Sequence, residues 1–384
     1  MHGTVRLIYL FLFMAFGSLS PLLNLYFSRI GFSGTEIGII ASGELMVSVL
    51  MQPVWGMISD RYRKRRHIFM VSAFTCSLII LANMRYKDFG HVFVIMGILS
   101  LFQCALVPVL DSSVMIELKG RGEEYGTFRL FGSLGYAVTS IAIGSLADRL
   151  TLEIIFIAYA VSMAITGVIS FKLPEKYADD SGIVRSSPGS LFKNRNFSIF
   201  LIVAFMSQAS MVVSENFLGV YIDYLKGSSS MVGLAWMLAA LSEIPVFYFT
   251  GKLIKRYNLR KIIILALILV FLRVLLYGLS TTPLMVIVVH GISGLDYATF
   301  SAAAINFVSR HTPDSLKTSG QTVYTMVSTG LGGMVGNILG GTIMDKVGIR
   351  AMYLSFSMVI LISLIVFILF VKDNSENVRG FNEV

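Results

Sequence analysis

Residues 35–66 read TEIGIIASGELMVSVLMQPVWGMISDRYRKRR, an apolar run that passes through Gly56 and Asp60 and ends in Arg61, Arg63, Lys64, Arg65 and Arg66. An apolar stretch of about 20 residues crosses the hydrocarbon of a bilayer, and a cluster of cations at one end holds that end in the cytoplasm. Working outward, comparable runs fall near residues 5–28, 68–84, 91–118, 125–147, 153–171, 197–223, 231–251, 262–279, 283–309, 320–344 and 351–371. The first of them is too long for a signal-peptide core and reads as a retained span. The chain is therefore expected to be an all-α polytopic membrane protein with twelve transmembrane helices.

Composition excludes the soluble alternatives. AVILMFWYC residues make up 55% of the 384 residues and DEKR residues only 14%, too few charges to cover a soluble surface of this size. The net charge of +9 comes from loop lysines and arginines, so it implies no nucleic-acid partner. Alternate connections and the two tails, counted with Arg129 just inside the adjoining span, hold 23 of the 31 basic residues, the opposite side holds seven, and Arg273 lies well inside a span. Both termini are thus expected in the cytoplasm.

The longest polar stretch, residues 172–196, separates six runs from six and has the composition of a linker. It divides the chain into an N-terminal six-helix bundle over 1–171, a cytoplasmic linker over 172–196, a C-terminal six-helix bundle over 197–371 and a tail over 372–384. Internal repetition supports the division. Gly38, Gly56, Arg61 and Arg65 recur 195 residues later as Gly233, Gly251, Arg256 and Arg260, while Gly135, Gly144 and Asp148-Arg149 recur 197 residues later as Gly332, Gly341 and Asp345-Lys346. A duplicated bundle places the functional site between the halves.

Gly56 allows close helix approach and Asp60 can hold Arg61 or a neighbouring helix end, so Gly56, Asp60, Arg61 and Arg65 are the expected conformational latch. This segment resembles the signature between the second and third helices of the major facilitator superfamily. The later copy, Gly251 to Arg256, carries Lys255 where that signature has its acid.

Charges inside spans are costly and mark function. Asp111 and Arg129 lie nine residues on either side of a turn centred near Gly120, which sets them at equal depth as an expected facing pair. The string Tyr125-Gly-Thr-Phe-Arg129-Leu-Phe-Gly-Ser-Leu-Gly-Tyr136 resembles the fifth helix of the lactose permease (oligosaccharide/proton symporter) branch and equally that of the phenylpropionate permease branch. The resemblance implies that Arg129 and Asp111 grip substrate oxygens and that Tyr136 stacks on the substrate ring. Asn24 is a further candidate on the path, as is Glu44. An arginine fork accepts hydroxyls or a carboxylate, so sugars and aromatic acids both fit.

In the second half Arg273 and His290 are equidistant from the turn between Thr281 and Thr282, and Glu243, within span eight, is the expected counter-charge. The three resemble the proton-coupling half of the same symporter branch. Ser293 stands where that branch has a further carboxylate, and Asp296 lies six residues beyond His290. Desolvation favours a neutral carboxyl and an approaching arginine favours a carboxylate, which is the chemistry of a switchable proton carrier. Glu243 is the first candidate, with Glu215 and Asp296 next.

These features predict a proton-coupled symporter importing a small polar organic solute, a sugar or an aromatic acid, by alternating access. The alternative is a drug/proton antiporter exporting amphipathic compounds. No Walker phosphate loop is present, and the five histidines are scattered, so neither ATP-driven transport nor a metal-dependent membrane enzyme is expected. No cofactor is expected. The partners are the small-molecule substrate, protons and membrane lipid, with a functional monomer in the cell inner membrane.

Overall fold

The computed structural model describes residues 2–62, 64–118, 125–173, 188–256, 258–313 and 316–371, with the side chains of residues 2, 60, 117, 188–190 and 244–256 left aside. The described chain is almost wholly helical. The first half contains α1 (His2–Arg29), α2 (Gly34–Tyr62), α3 (Arg65–Ile79) with a 3-10 continuation over Ile80–Met84, α4 (Phe89–Leu118), α5 (Tyr125–Arg149) and α6 (Ile154–Ser170). A 3-10 stretch over Pro188–Lys193 precedes the second half. There follow α7 (Arg195–Asn216), α8 (Leu218–Tyr224), α9 (Ser229–Arg256), α10 (Leu259–Leu279), α11 (Pro283–Gly291), α12 (Ser293–Arg310), α13 (Lys317–Thr325), a π-helical turn over Met326–Gly332, α14 (Gly333–Val347) and α15 (Ile349–Phe370). Among the described residues nine helices, counting α11 and α12 as one bent rod, are long and apolar enough to cross a membrane, and α6 is a shorter apolar helix.

Each half packs mainly on itself. In the first, α1 lies against α5 and α6, α2 against α4, and α3 against α4 and α6. In the second, α10 lies against α15 and α12, α7 against α14 and α15, and α9 against α11 and α12. Two helix pairs, α5 with α9 and α2 with α14, carry the principal contacts between the halves. Lipid tails are as apolar as leucine, so membrane helices associate through close packing and interhelical hydrogen bonds. Both devices are present. Gly17 and Gly135 let α1 and α5 touch backbone to backbone. Ser77 donates to the Ala160 carbonyl at 2.7 Å, and the hydroxyls of Ser207 and Ser363 are hydrogen-bonded at 3.0 Å. Large apolar side chains that remain exposed, among them Leu78, Ile362, Ile365 and Leu369, face outward where hydrocarbon would meet them.

Helix interruptions are concentrated in the second half. The rod from Arg195 to Tyr224 breaks at Phe217, directly after Glu215 and Asn216. The rod from Pro283 to Arg310 breaks at Ile292, between His290 and Asp296. Such interruptions within a membrane survive where protein or a cavity satisfies the freed backbone, and they gather at functional positions.

Of the expected latch residues, a side chain at Gly56 would meet nothing within 4 Å among the described residues. The side chain of Asp60 lies outside the described residues, Arg61 is exposed with its guanidinium carbon 5.9 Å from the centre of the Tyr62 ring, and Arg65 is buried. Most of the 172–196 linker and the whole of the 372–384 tail also lie outside the described residues.

Candidate functional site

The first half presents its polar groups from α1, α4 and α5. Arg6, at the start of α1, sits over Phe128 and Phe131. One turn further, the Tyr9 hydroxyl donates to Asp111 Oδ1 at 2.5 Å, and the edge of Tyr9 meets Tyr125. Arg129 lies with its guanidinium carbon 4.0 Å from the centre of the Phe13 ring. Asp111 and Arg129 do not form the expected ion pair. Instead, tyrosine bonds the acid and an aromatic face supports the cation, and among the described residues Arg129's hydrogen-bonding edges are left for another partner.

From the second half, α9 contributes Trp236 and Glu243. Trp236 meets Tyr136 edge-on across the halves at 6.1 Å between ring centres and His290 at 4.9 Å. Glu243 is half-buried and lies in the field of Arg129. Tyr297 on α12 lies in the field of Glu215, Glu243 and Arg129 together. The acid of one half thus lies within electrostatic reach of the cation of the other, close to Tyr136 and Tyr297.

Beneath this group is a buried charge network. Arg273 is wholly buried, its Nε donates to Asp296 Oδ2 at 2.6 Å, and its Nη2 lies 4.0 Å from Glu215. Arg273 Nη1 also donates to the Tyr277 hydroxyl at 3.4 Å, and that hydroxyl is 2.7 Å from His290 Nδ1. This corrects the expected counter-charge: Asp296 and Glu215 accompany Arg273, and Glu243 forms no ion pair with it. The break at Ile292 is the physical reason, because a straight helix would place residues six apart on different faces, whereas the bend returns Asp296 to the side of His290. One oxygen of Asp296, Nη2 of Arg273 and Nε2 of His290 are buried without a hydrogen-bond partner.

Asn24 connects the halves. Its Nδ2 donates to the Asn216 carbonyl at 2.9 Å, and the Asn216 amide donates to Asn337 Oδ1 at 2.9 Å. Sequence reasoning did not single out Tyr9, Trp236, Tyr277, Asn216 or Asn337. Two signals were available: Trp236 is one of only two tryptophans, and Tyr277 follows Arg273 by four residues on one helical face.

Apolar helices packed around an interior cluster of opposed charges define a multi-pass membrane carrier, which is a transport protein and not an enzyme. The chain matches the family described as MFS_1 like over residues 2–355 and belongs to it, making it a secondary transporter of the major facilitator type. It is 28% identical over 368 residues to "Maltose permease" of Geobacillus stearothermophilus, covering 95% of this chain and 93% of that protein. It is 24% identical over 343 residues to "Putative nucleoside transporter YegT" of Escherichia coli (strain K12), covering 84% and 79%. In fold it is similar to the crystal structure of the nucleoside transporter NupG, with a TM-score of 0.86 at 16% identity, covering 97% of this chain and 99% of that one. These relatives are sugar and nucleoside permeases, not members of the lactose or phenylpropionate branches that the 125–136 string resembles.

Proposed function

We propose that the chain is a proton-coupled symporter that imports a sugar or a sugar-bearing solute such as a nucleoside, by alternating access of two six-helix bundles. The bundles are residues 1–171 and 197–371, joined by a cytoplasmic linker, with both termini in the cytoplasm of a cell whose inner membrane holds the protein as a monomer. The observation that carries the reading is the Tyr136–Trp236 ring contact across the halves, with Arg129 of one half and Glu243 of the other within electrostatic reach of each other. A ring-bearing polyol fits this arrangement: Arg129 donates to ring oxygens or hydroxyls, Glu243 accepts from hydroxyls, and the aromatic faces cover the ring. Asp111, held by Tyr9, completes the polar wall, and Asn24 joins the halves through its bond to the Asn216 carbonyl. The names of the maltose and nucleoside relatives support this substrate class.

Proton coupling is assigned to Glu243, with Asp296, Glu215, Arg273 and His290 as the network that responds to it. A carboxylate whose cationic neighbour belongs to the other half loses that neighbour when the halves rock, and its proton affinity changes with the motion. Substrate arriving at Arg129 has the same effect on Glu243, which links the two loads. The test is Glu243→Gln in proteoliposomes. Equilibrium exchange should persist while accumulation driven by an inward proton gradient is abolished. Full proton-driven accumulation by this variant would remove Glu243 as the carrier, and proton-driven efflux by the unaltered protein would support export instead.

A further inference from the structure

The repeated glycines and aspartates, which the transport site does not use, meet at one end of the molecule. Asp345, near the end of α14, accepts from the Gly34 amide at 2.7 Å and the Thr35 amide at 2.8 Å, the first two amides of α2 in the other half. Asp148, near the end of α5, accepts from the Ser229 amide at 2.7 Å and the Ser230 amide at 2.8 Å, the first two amides of α9. The third amide of each helix is served locally, Glu36 by the Ser33 hydroxyl at 3.2 Å and Met231 by the Ser228 hydroxyl at 3.4 Å. Ser33 and Ser228 are 195 residues apart and Asp148 and Asp345 are 197 apart, the same two offsets as the glycine repeats.

The glycines explain how the helices come near enough. A Cβ at Gly38 would collide with the Asn337 carbonyl, and one at Gly233 with the Ser140 carbonyl. Gly144 and Gly341 lie equally close to the Ser229 and Gly34 carbonyls. Side-chain carbon is thus excluded at four equivalent points along the two seams. Arg29 and Asp223 add an exposed ion pair between the halves at 2.7 Å near the same end.

We propose that Asp148 and Asp345 form a paired outer gate, each closing one seam by capping the first turn of a helix that belongs to the opposite half. The first four amides of any helix lack internal partners, and a carboxylate there gains both hydrogen bonds and the helix dipole. When the seams part, those amides are at the membrane surface and water replaces the carboxylate. The cost of opening is therefore a cap's worth per seam, small enough for a reversible transport cycle. The caps place no group in the solute path and hold the closed state without touching the cargo. Calling this gate the outer one rests on the orientation in the proposed function.

Spin labels at Arg85→Cys and Thr281→Cys, both exposed on loops at this end and in different halves, report the separation of the seams. Asp148→Ala and Asp345→Ala should each move the open-to-closed ratio about fivefold toward longer distances, and the double variant about 25-fold, because the two seams are separate. Asp148→Asn and Asp345→Asn retain one acceptor and should shift the ratio less, which also keeps the test available if an alanine variant does not fold. An unchanged distance distribution in the double variants would overturn the gate. Labelling of Thr281→Cys in intact cells by a reagent that cannot cross the membrane is read separately: failure to react would reverse the assigned side while leaving the gate itself to the distance measurement.

Discussion

Removing Asp296 by Asp296→Ala strands the guanidinium of Arg273 in the interior. Arg273 is 0% exposed and Asp296 2%, and their contact is 2.6 Å. Breaking one side of a buried ion pair costs about 3–5 kcal/mol, because the remaining charge keeps its desolvation penalty without its partner. Glu215, 4.0 Å from the same guanidinium, supplies a partial substitute, which puts the expected loss at the lower end, about 3 kcal/mol. Arg273→Met combined with Asp296→Ala removes both charges together. The double variant should recover most of that loss, since a buried pair replaced as a unit by apolar groups is often close to neutral. Denaturant-induced unfolding of the purified protein in detergent, read on both single variants and the double, gives the coupling energy directly. A loss below about 1 kcal/mol for Asp296→Ala, or single-variant losses that simply add, would refute the claim that this pair is a single buried unit.

Two further outcomes follow from the opposed wall. Arg129→Lys keeps the charge but loses the planar fork, so equilibrium binding of the transported solute should weaken about tenfold or more, ~1.4 kcal/mol, with the unfolding midpoint little changed. Trp236→Ala removes the ring between Tyr136 and His290 and should weaken binding by about 1 kcal/mol or more in the same assay, whereas Trp236→Phe should retain most of the affinity.

The sequence disclosed the helices well because hydrocarbon imposes a length and composition that few other environments require. Predicted runs such as 91–118 and 262–279 coincide closely with Phe89–Leu118 and Leu259–Leu279. It also marked the interior charges, since arginine and acid within a span are rare enough to stand out. It did not disclose how they pair. Equal distance from a turn set Asp111 opposite Arg129 in depth, but depth leaves rotation about the helix axis free, and Tyr9 takes the acid instead. The pairing of Arg273 with Asp296 goes with a backbone break at Ile292, flanked by Gly291 and Gly294, a signal that does not stand out in a chain with 34 glycines. Contacts between the halves were less accessible still. The repeats of Gly38 and Asp148 were visible as repeats, whereas the partners they serve lie about 80 to 300 residues away in the chain and only the folded arrangement joins them.

The central claim is that an inward proton gradient drives a sugar-bearing solute through this chain. The most direct measurement places the purified protein in proteoliposomes, imposes a pH gradient that is acid outside, and follows uptake of radiolabelled maltose and, in parallel, uridine. The account predicts that at least one of them accumulates above its external concentration and that a protonophore abolishes the accumulation while leaving equilibrium exchange intact. Accumulation that ignores the protonophore, or a gradient that expels the transported solute, would contradict it.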